Sequence, residues 1–167
     1  GVKNALFPDV RQAERIAGSD KWRKLFIHFA PPDNSQALDV RVIPFDPTPA
    51  GDTVVVYPQA THTDTQSTIT ASIPSRAYGS AEVAFAPGAG ETSITVTLEQ
   101  GAPPIFAAGD TVYITDKATI GSSTGSEEYA TIGSVAAPSG GTQTITLTTP
   151  LANSYTSSAR VCSVIVK

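Results

Sequence analysis

This sequence predicts a mainly β fold: an antiparallel β-sandwich or small β-barrel with one short N-terminal helix. Three observations carry that prediction. Charged residues make up only 16% of the chain and hydrophobic ones 40%, against a usual charged share of about 25%. With abundant Thr, Ser, Gly and Pro, that balance suits a compact β protein with many turns, whereas a disordered chain combines low hydrophobicity with high net charge. Short runs of β-branched and apolar residues recur between Gly/Pro turns, the spacing of a sandwich or barrel. Only one segment, near the N-terminus, carries a helical period.

That segment is NALFPDVRQAERIAGSDKWRKLF. Val10, Ala13, Ile16 and Ala17 fall on one face at helical spacing. Asp9 is the expected N-cap, Gln12 stands three residues on as in a capping box, and Gly18 is placed to stop the helix. A helix so short must be held by packing rather than propensity.

Strand signals then follow in order. KLFIHFA (Lys24–Ala30) precedes the turn PPDNS. LDVRVIPF (Leu38–Phe45) alternates, with Leu38, Val40, Val42 and Pro44 facing one way and Asp39, Arg41 and Ile43 the other. DTVVVYP (Asp52–Pro58) comes next, and these three are expected to share one antiparallel sheet. The stretch 60–80 is polar and weakly patterned, with a short strand expected over Thr68–Ile73. Six runs complete the set: Ser80–Ala86, Glu91–Glu99, Gly109–Asp116, Ser126–Ala136, Thr142–Leu151 and Ala159–Lys167. The length of 167 residues allows one ordinary domain or two small ones. Patterning lapses over Gln59–Ser67, so the natural division is 1–60, helix plus sheet, and 61–167, barrel or sandwich, unless both parts form a single domain.

Two echoes run through the chain. AGDTV occurs at Ala50–Val54 and at Ala108–Val112. VAFAPGAGETSITVT (Val83–Thr97) resembles SVAAPSGGTQTITLT (Ser134–Thr148). The offsets differ, so these are two uses of a hairpin recipe more than one clean repeat. Gly permits unusual backbone angles, Asp bonds to the local turn backbone, and alternating β-branched residues fill the strand.

Charge and composition exclude several function classes. A net charge of −4 disfavours nucleic acid or an anionic membrane as a direct partner. No apolar run approaches membrane-spanning length, and no basic-then-apolar leader opens the sequence. A start at Gly1 with no Met anywhere fits a native start whose initiator was removed, and a trimmed chain would look the same. The lone Cys162, in ARVCSVIVK, reads as a small buried hydrophobe.

The chemistry-bearing candidates each have a plainer reading that is favoured. GSSTG (Gly121–Gly125) matches the nucleophile-elbow pattern, but strand-like residues follow where a helix is required, and no His follows Ser123. His62 and Asp64 are too few ligands for a metal site, and the other histidine, His28, sits in an apolar run. Glu127 and Glu128 are adjacent, so a strand would point them to opposite faces. Asp46, Asp52, Asp110 and Asp116 are scattered carboxylates whose meeting in space the sequence does not decide. Lys21, Trp22, Arg23 and Lys24 form a basic cluster with one aromatic, read as a solvated edge or a contact to a partner subunit. No catalytic residue, cofactor or metal is expected.

One family resemblance rests on these residues. Asn4, Leu6, Phe7, Asp9 and Val10, then a short helix, then Gly18, Trp22 and Arg23, then a strand, resemble a segment of tailed-bacteriophage virion proteins, with Trp where Tyr is usual. The second half, from FAAGDTVYITDKA to the closing apolar strand, is similar to a small β-barrel module of phage structural proteins. The resemblance implies a virion location and a non-enzymatic structural role, in capsid decoration or stabilisation or in tail assembly. Its partners would be capsid or tail subunits and further copies of the chain, with Asn4, Leu6, Phe7, Lys21, Trp22, Arg23 and Lys24 as interaction residues. The alternative is a glycan- or receptor-binding β module of a tail tip or adhesin, against which the 7% aromatic content and single Trp weigh mildly.

Overall fold

The computed structural model describes residues 11–18, 20–27, 33, 38–45, 54–59, 63, 65, 67, 75–99 and 101–166. The chain divides into two compact units, Gly1–Gln36 with Gln59–Ile73, and Ala37–Pro58 with Pro74–Lys167.

The first unit holds the helix α1, Gln12–Ala17. Its N-cap is Arg11, in extended conformation, so Gln12 opens the helix; the expected cap Asp9 lies outside the described residues. The Glu14 carboxylate closes the cap by accepting the Arg11 backbone N–H at 2.8 Å. That bond and then the Lys21 ammonium, 3.2 Å away, hold Glu14 below the usual carboxylate range. Gly18 ends the helix at φ 72, a left-handed conformation that suits glycine. No strand forms over Lys24–Ile27, and the rest of the expected strand, His28–Ala30, lies outside the described residues.

The second unit is mainly β. Strands β2 (Ser80–Val83), β3 (Ser93–Thr97), β4 (Thr111–Thr115), β5 (Glu127–Val135), β6 (Thr142–Leu147) and β7 (Arg160–Ser163) close a barrel in the order β2-β3-β6-β5-β4-β7. Every neighbouring pair is antiparallel. The six C-terminal strand runs expected from the sequence are therefore present, and the barrel is the form they take.

Period-two alternation fills the interior. Ala81, Val83, Ile94, Val96, Val112, Ile114, Ile132, Ile145, Leu147 and Val161 are buried together, capped by Ile105, Phe106, Leu151 and Tyr155. In β3 the pattern is plain: Ile94 and Val96 are buried while Ser93 and Thr97 are exposed. A register shift between Ile132 and Ser134 marks a bulge at Gly133, the device that tightens twist as a sheet curls into a barrel.

The second echo corresponds to two hairpins, β2–β3 and β5–β6. Their second strands lie side by side, and Ile94 pairs with Ile145, its own counterpart in the echo. A local two-fold axis thus runs through that pair. The second AGDTV behaves as its residues dictate. Gly109 turns at φ 88, the Asp110 carboxylate accepts the Ala107 N–H at 2.6 Å, and β4 starts at Thr111. Of the first copy only Val54 lies among the described residues.

Among the described residues, these upstream segments do not build the expected three-stranded sheet. Within Leu38–Phe45 only β1, Arg41–Val42, is strand, and its partner is β8, Ile165–Val166. Asp39 at φ 54 breaks the extended run on one side, and Pro44 has no N–H to pair on the other. Within Asp52–Pro58, the described residues contribute a single bridge, Val56 to Tyr78.

Candidate functional site

Strands of a barrel normally bury one face and wet the other. β4 and β7 bury both. Val112, Ile114 and Val161 point inward, yet outward-facing Tyr113 and Cys162 are only 3% and 0% exposed. The cover is the extended segment that contains β1. Alternate residues of it face the barrel: the Arg41 guanidinium lies 4.3 Å from the Tyr129 ring centroid, Ile43 packs with Tyr113, Cys162 and Val164, and the Phe45 ring lies 6.4 Å from that of Tyr113. The Arg160 guanidinium lies over the Phe45 ring, 5.0 Å from its centroid, and the Cys162 thiol donates to the Phe45 carbonyl at 3.5 Å. The sequence pointed to Leu38, Val40, Val42 and Pro44 as one face of this strand; the face against the barrel is Arg41, Ile43 and Phe45.

Below this strap sits a polar cluster. The Tyr113 hydroxyl donates to Glu127, and the Lys117 ammonium lies 2.8 Å from the other carboxylate oxygen. Lys117 and then Tyr113 lower the Glu127 carboxyl below its usual range. Burial, with the Glu127 charge beside it, pushes the Tyr113 phenol up to about 12. The folded state therefore favours the neutral phenol. This contribution is whole below pH 10, the ordinary tyrosine value, and is lost as pH rises from there towards 12.

Glu128 points the other way, as adjacency on a strand requires. Its carboxylate accepts the backbone N–H groups of Ala152 (3.0 Å) and Asn153 (3.2 Å) and the Tyr155 hydroxyl (2.8 Å). Burial raises its pKa, but these hydrogen bonds outweigh it and the net shift is downward. Asp116 fixes the same loop by accepting the N–H groups of Thr156 (3.2 Å) and Ser126 (2.7 Å). The Glu128→Gln variant presents an NH2 to donors that need an acceptor. It is expected to lose about 1–2 kcal/mol of stability at neutral pH, because water still reaches part of the site. With a lowered folded pKa, the Glu128 contribution is present above its unfolded value of 4.5 and fades as pH falls through the folded value. Urea titrations at pH 7 and pH 3 check this: the gap between wild type and variant should narrow at the lower pH.

A third anchor holds the loop before β4. Arg76 pairs with Asp110, donates to the carbonyls of Ala77 (2.6 Å), Pro104 (3.3 Å) and Ile105 (3.1 Å), and stacks 4.5 Å over Tyr78. These carboxylates and cations hold loops to strands.

GSSTG is a turn: Gly121 and Gly125 take φ 85 and 94, the Ser122 hydroxyl donates to the Thr124 carbonyl at 3.1 Å, and strand β5 follows at Glu127 where an elbow needs a helix. Cys162 is buried and forms no disulfide. No group of three His, Cys, Asp or Glu placed to hold a metal occurs among the described residues. His28, His62, Asp46, Asp52 and Asp64 lie outside them, as do Asn4, Leu6 and Phe7. Lys21 pairs with Glu14, Arg23 donates to the Trp22 carbonyl at 2.9 Å, and Lys24 sits 5.2 Å from the Phe26 ring centroid. Just beyond, Leu25, Phe26 and Ile27 are 65%, 67% and 69% exposed. The strap contacts escaped sequence reasoning because their partners lie far apart; the one local signal is the period-two spacing of Arg41, Ile43 and Phe45.

No protein-family model matches the chain, and no curated protein matches it.

Proposed function

We propose that this chain is a non-enzymatic structural protein of a phage particle, acting through subunit contacts in capsid decoration, capsid stabilisation or tail assembly. The virion setting comes from the resemblance of its N-terminal segment and its second half to phage structural proteins. The observation that carries the contact role is the run Leu25, Phe26 and Ile27, three consecutive large apolar side chains each about two-thirds exposed. Water disfavours such a surface, and exposed apolar patches rimmed by polar residues mark protein–protein contacts. Lys21, Trp22, Arg23 and Lys24 precede it directly, giving the patch a basic rim.

Immunogold electron microscopy of virions tests the setting. Label over the head supports capsid decoration, and label on the tail supports tail assembly. Label only at a tail tip, with a positive glycan screen, would favour the receptor-binding alternative. Absence of the chain from purified particles by mass spectrometry would remove the proposal. The patch itself is tested by Phe26→Asp, expected to lower the copy number per particle while leaving the unfolding midpoint unchanged.

A further inference from the structure

We infer that the exposed run Lys21–Ile27 of one copy is the seat for the β2–β3 hairpin tip, Phe85–Glu91, of a second copy. This contact rests on the assembly role proposed above and names the partner of that patch. The seat is apolar with a cationic rim. Leu25, Phe26 and Ile27 are each about two-thirds exposed, and the Lys24 ammonium sits 5.2 Å from the Phe26 ring centroid. Arg23 is exposed beside it. A partner suited to this surface offers an apolar anchor and a carboxylate together.

The hairpin tip offers both. Phe85 is 75% exposed, more than any other large apolar side chain described from Ser75 to Val166. Ala86, Ala89 and Glu91 are exposed with it. Glu91 forms no ion pair among the described residues, and no Lys or Arg occurs between Arg76 and Lys117. Hydrogen bonds to one neighbouring loop pin the tip. The Gly90 N–H donates to the Leu151 carbonyl, the Leu151 N–H to that of Glu91 and the Tyr155 N–H to that of Pro87, each at 2.9 Å, and the Ala89 N–H donates to the Ser154 hydroxyl at 3.0 Å. The backbone that carries Phe85 is thus fixed before docking, which spares the contact an ordering cost. Aromatic anchors of this kind carry much of an interface's affinity.

Charge favours a second copy as the source of the tip. The first unit has six Lys and Arg against five Asp and Glu, and the second has five against ten. The first unit of one copy therefore attracts the second unit of another, whereas two barrels repel. Seat and tip are different surfaces and every copy has both, so the contact is heterologous and extends head to tail.

Sedimentation of the full chain at low salt and rising concentration is expected to show dimers and longer species, which added salt dissociates. Phe26→Asp removes the centre of the seat and Phe85→Asp removes the anchor. Each alone is expected to weaken association by about tenfold or more, with the unfolding midpoint unchanged because both side chains are exposed. Mixing the two variants decides the geometry. The Phe85→Asp chain keeps an intact seat and the Phe26→Asp chain an intact tip, so the mixture is expected to form a one-to-one dimer that grows no further. Lys24→Glu and Glu91→Lys repeat the test through charge: each weakens association alone, and their mixture restores it. A wild type monomeric at every concentration overturns the inference, and so does a mixture no more associated than its two components. Binding of the Leu25–Ile27 run to phosphatidylserine vesicles or to purified virion proteins, without self-association, overturns it in favour of that partner. A virion-bound chain whose variants show no rescue would sink head-to-tail docking alone, and rescue in a chain absent from virions would sink the phage reading alone.

Discussion

Replacing Ile145 by Ala is expected to lower the free energy of unfolding by about 2–5 kcal/mol, the range for removing a buried isoleucine and leaving a cavity. Ile145 is fully buried in β6 and faces the barrel interior, with ladders on both sides of its strand. Neither β3 nor β5 can collapse into the gap without breaking hydrogen bonds. Its ladder partner Ile94 is 1% exposed, so Ile94→Ala should cost a similar amount. Because the two sit across the local two-fold axis and share one region of core, the double variant should depart from additivity by about 0.5–3 kcal/mol. Denaturant unfolding of the four proteins gives the cycle. Strict additivity would mean that the two cavities do not merge, and would remove the pair's status as the centre of the core.

Gly125→Ala should be nearly as damaging for a different reason. Gly125 has φ 94, and a Cβ there would lie 2.8 Å from Asp116 Oδ1 and 3.1 Å from the Lys117 Cα. The backbone conformation alone costs a non-glycine residue about 1–3 kcal/mol. The Asp116 carboxylate must also move, and it is the acceptor for the Ser126 and Thr156 N–H groups. Each hydrogen bond lost adds about 1 kcal/mol. The expected result is a midpoint drop together with faster amide exchange at Ser126 and Thr156. Gly121→Ala is the control: it has φ 85 but nothing near its Cβ, so it should show the strain alone. Equal losses in the two variants would show that the contact with Asp116 is immaterial.

The parts of this fold that were legible in the sequence are those whose information is local. Ser93–Thr97, SITVT, alternates in sequence and in burial, and the Gly109–Asp110 turn follows from what glycine and aspartate do to a backbone. Opposite faces for Glu127 and Glu128 followed from strand geometry, and the structure gives them separate partners. Where local preference competed with a contact, it was a poorer guide. Asp9 is the better capping residue by type, yet Glu14 reaches the Arg11 N–H and sets the helix start there. Lys24–Ile27 has a strand's composition, but composition names no ladder partner. Arg41 binds Tyr129 and Phe45 binds Tyr113 across gaps of more than sixty residues, and nothing beside either residue announces the match.

The order of strands around the barrel also bears on how the protein is made. β7 pairs with both β2 and β4, so it is the stave that shuts the ring. A nascent chain that has not yet reached Arg160 holds five strands in a row, with one edge of β2 and one edge of β4 bare. At typical synthesis speeds of about 5–20 residues per second, the stretch from the end of β6 at Leu147 to Arg160 takes about 1–3 seconds. Bare edges invite pairing with other chains. The hazard therefore belongs to biosynthesis, and truncation before Arg160 should yield inclusion bodies where the full chain yields a closed ring.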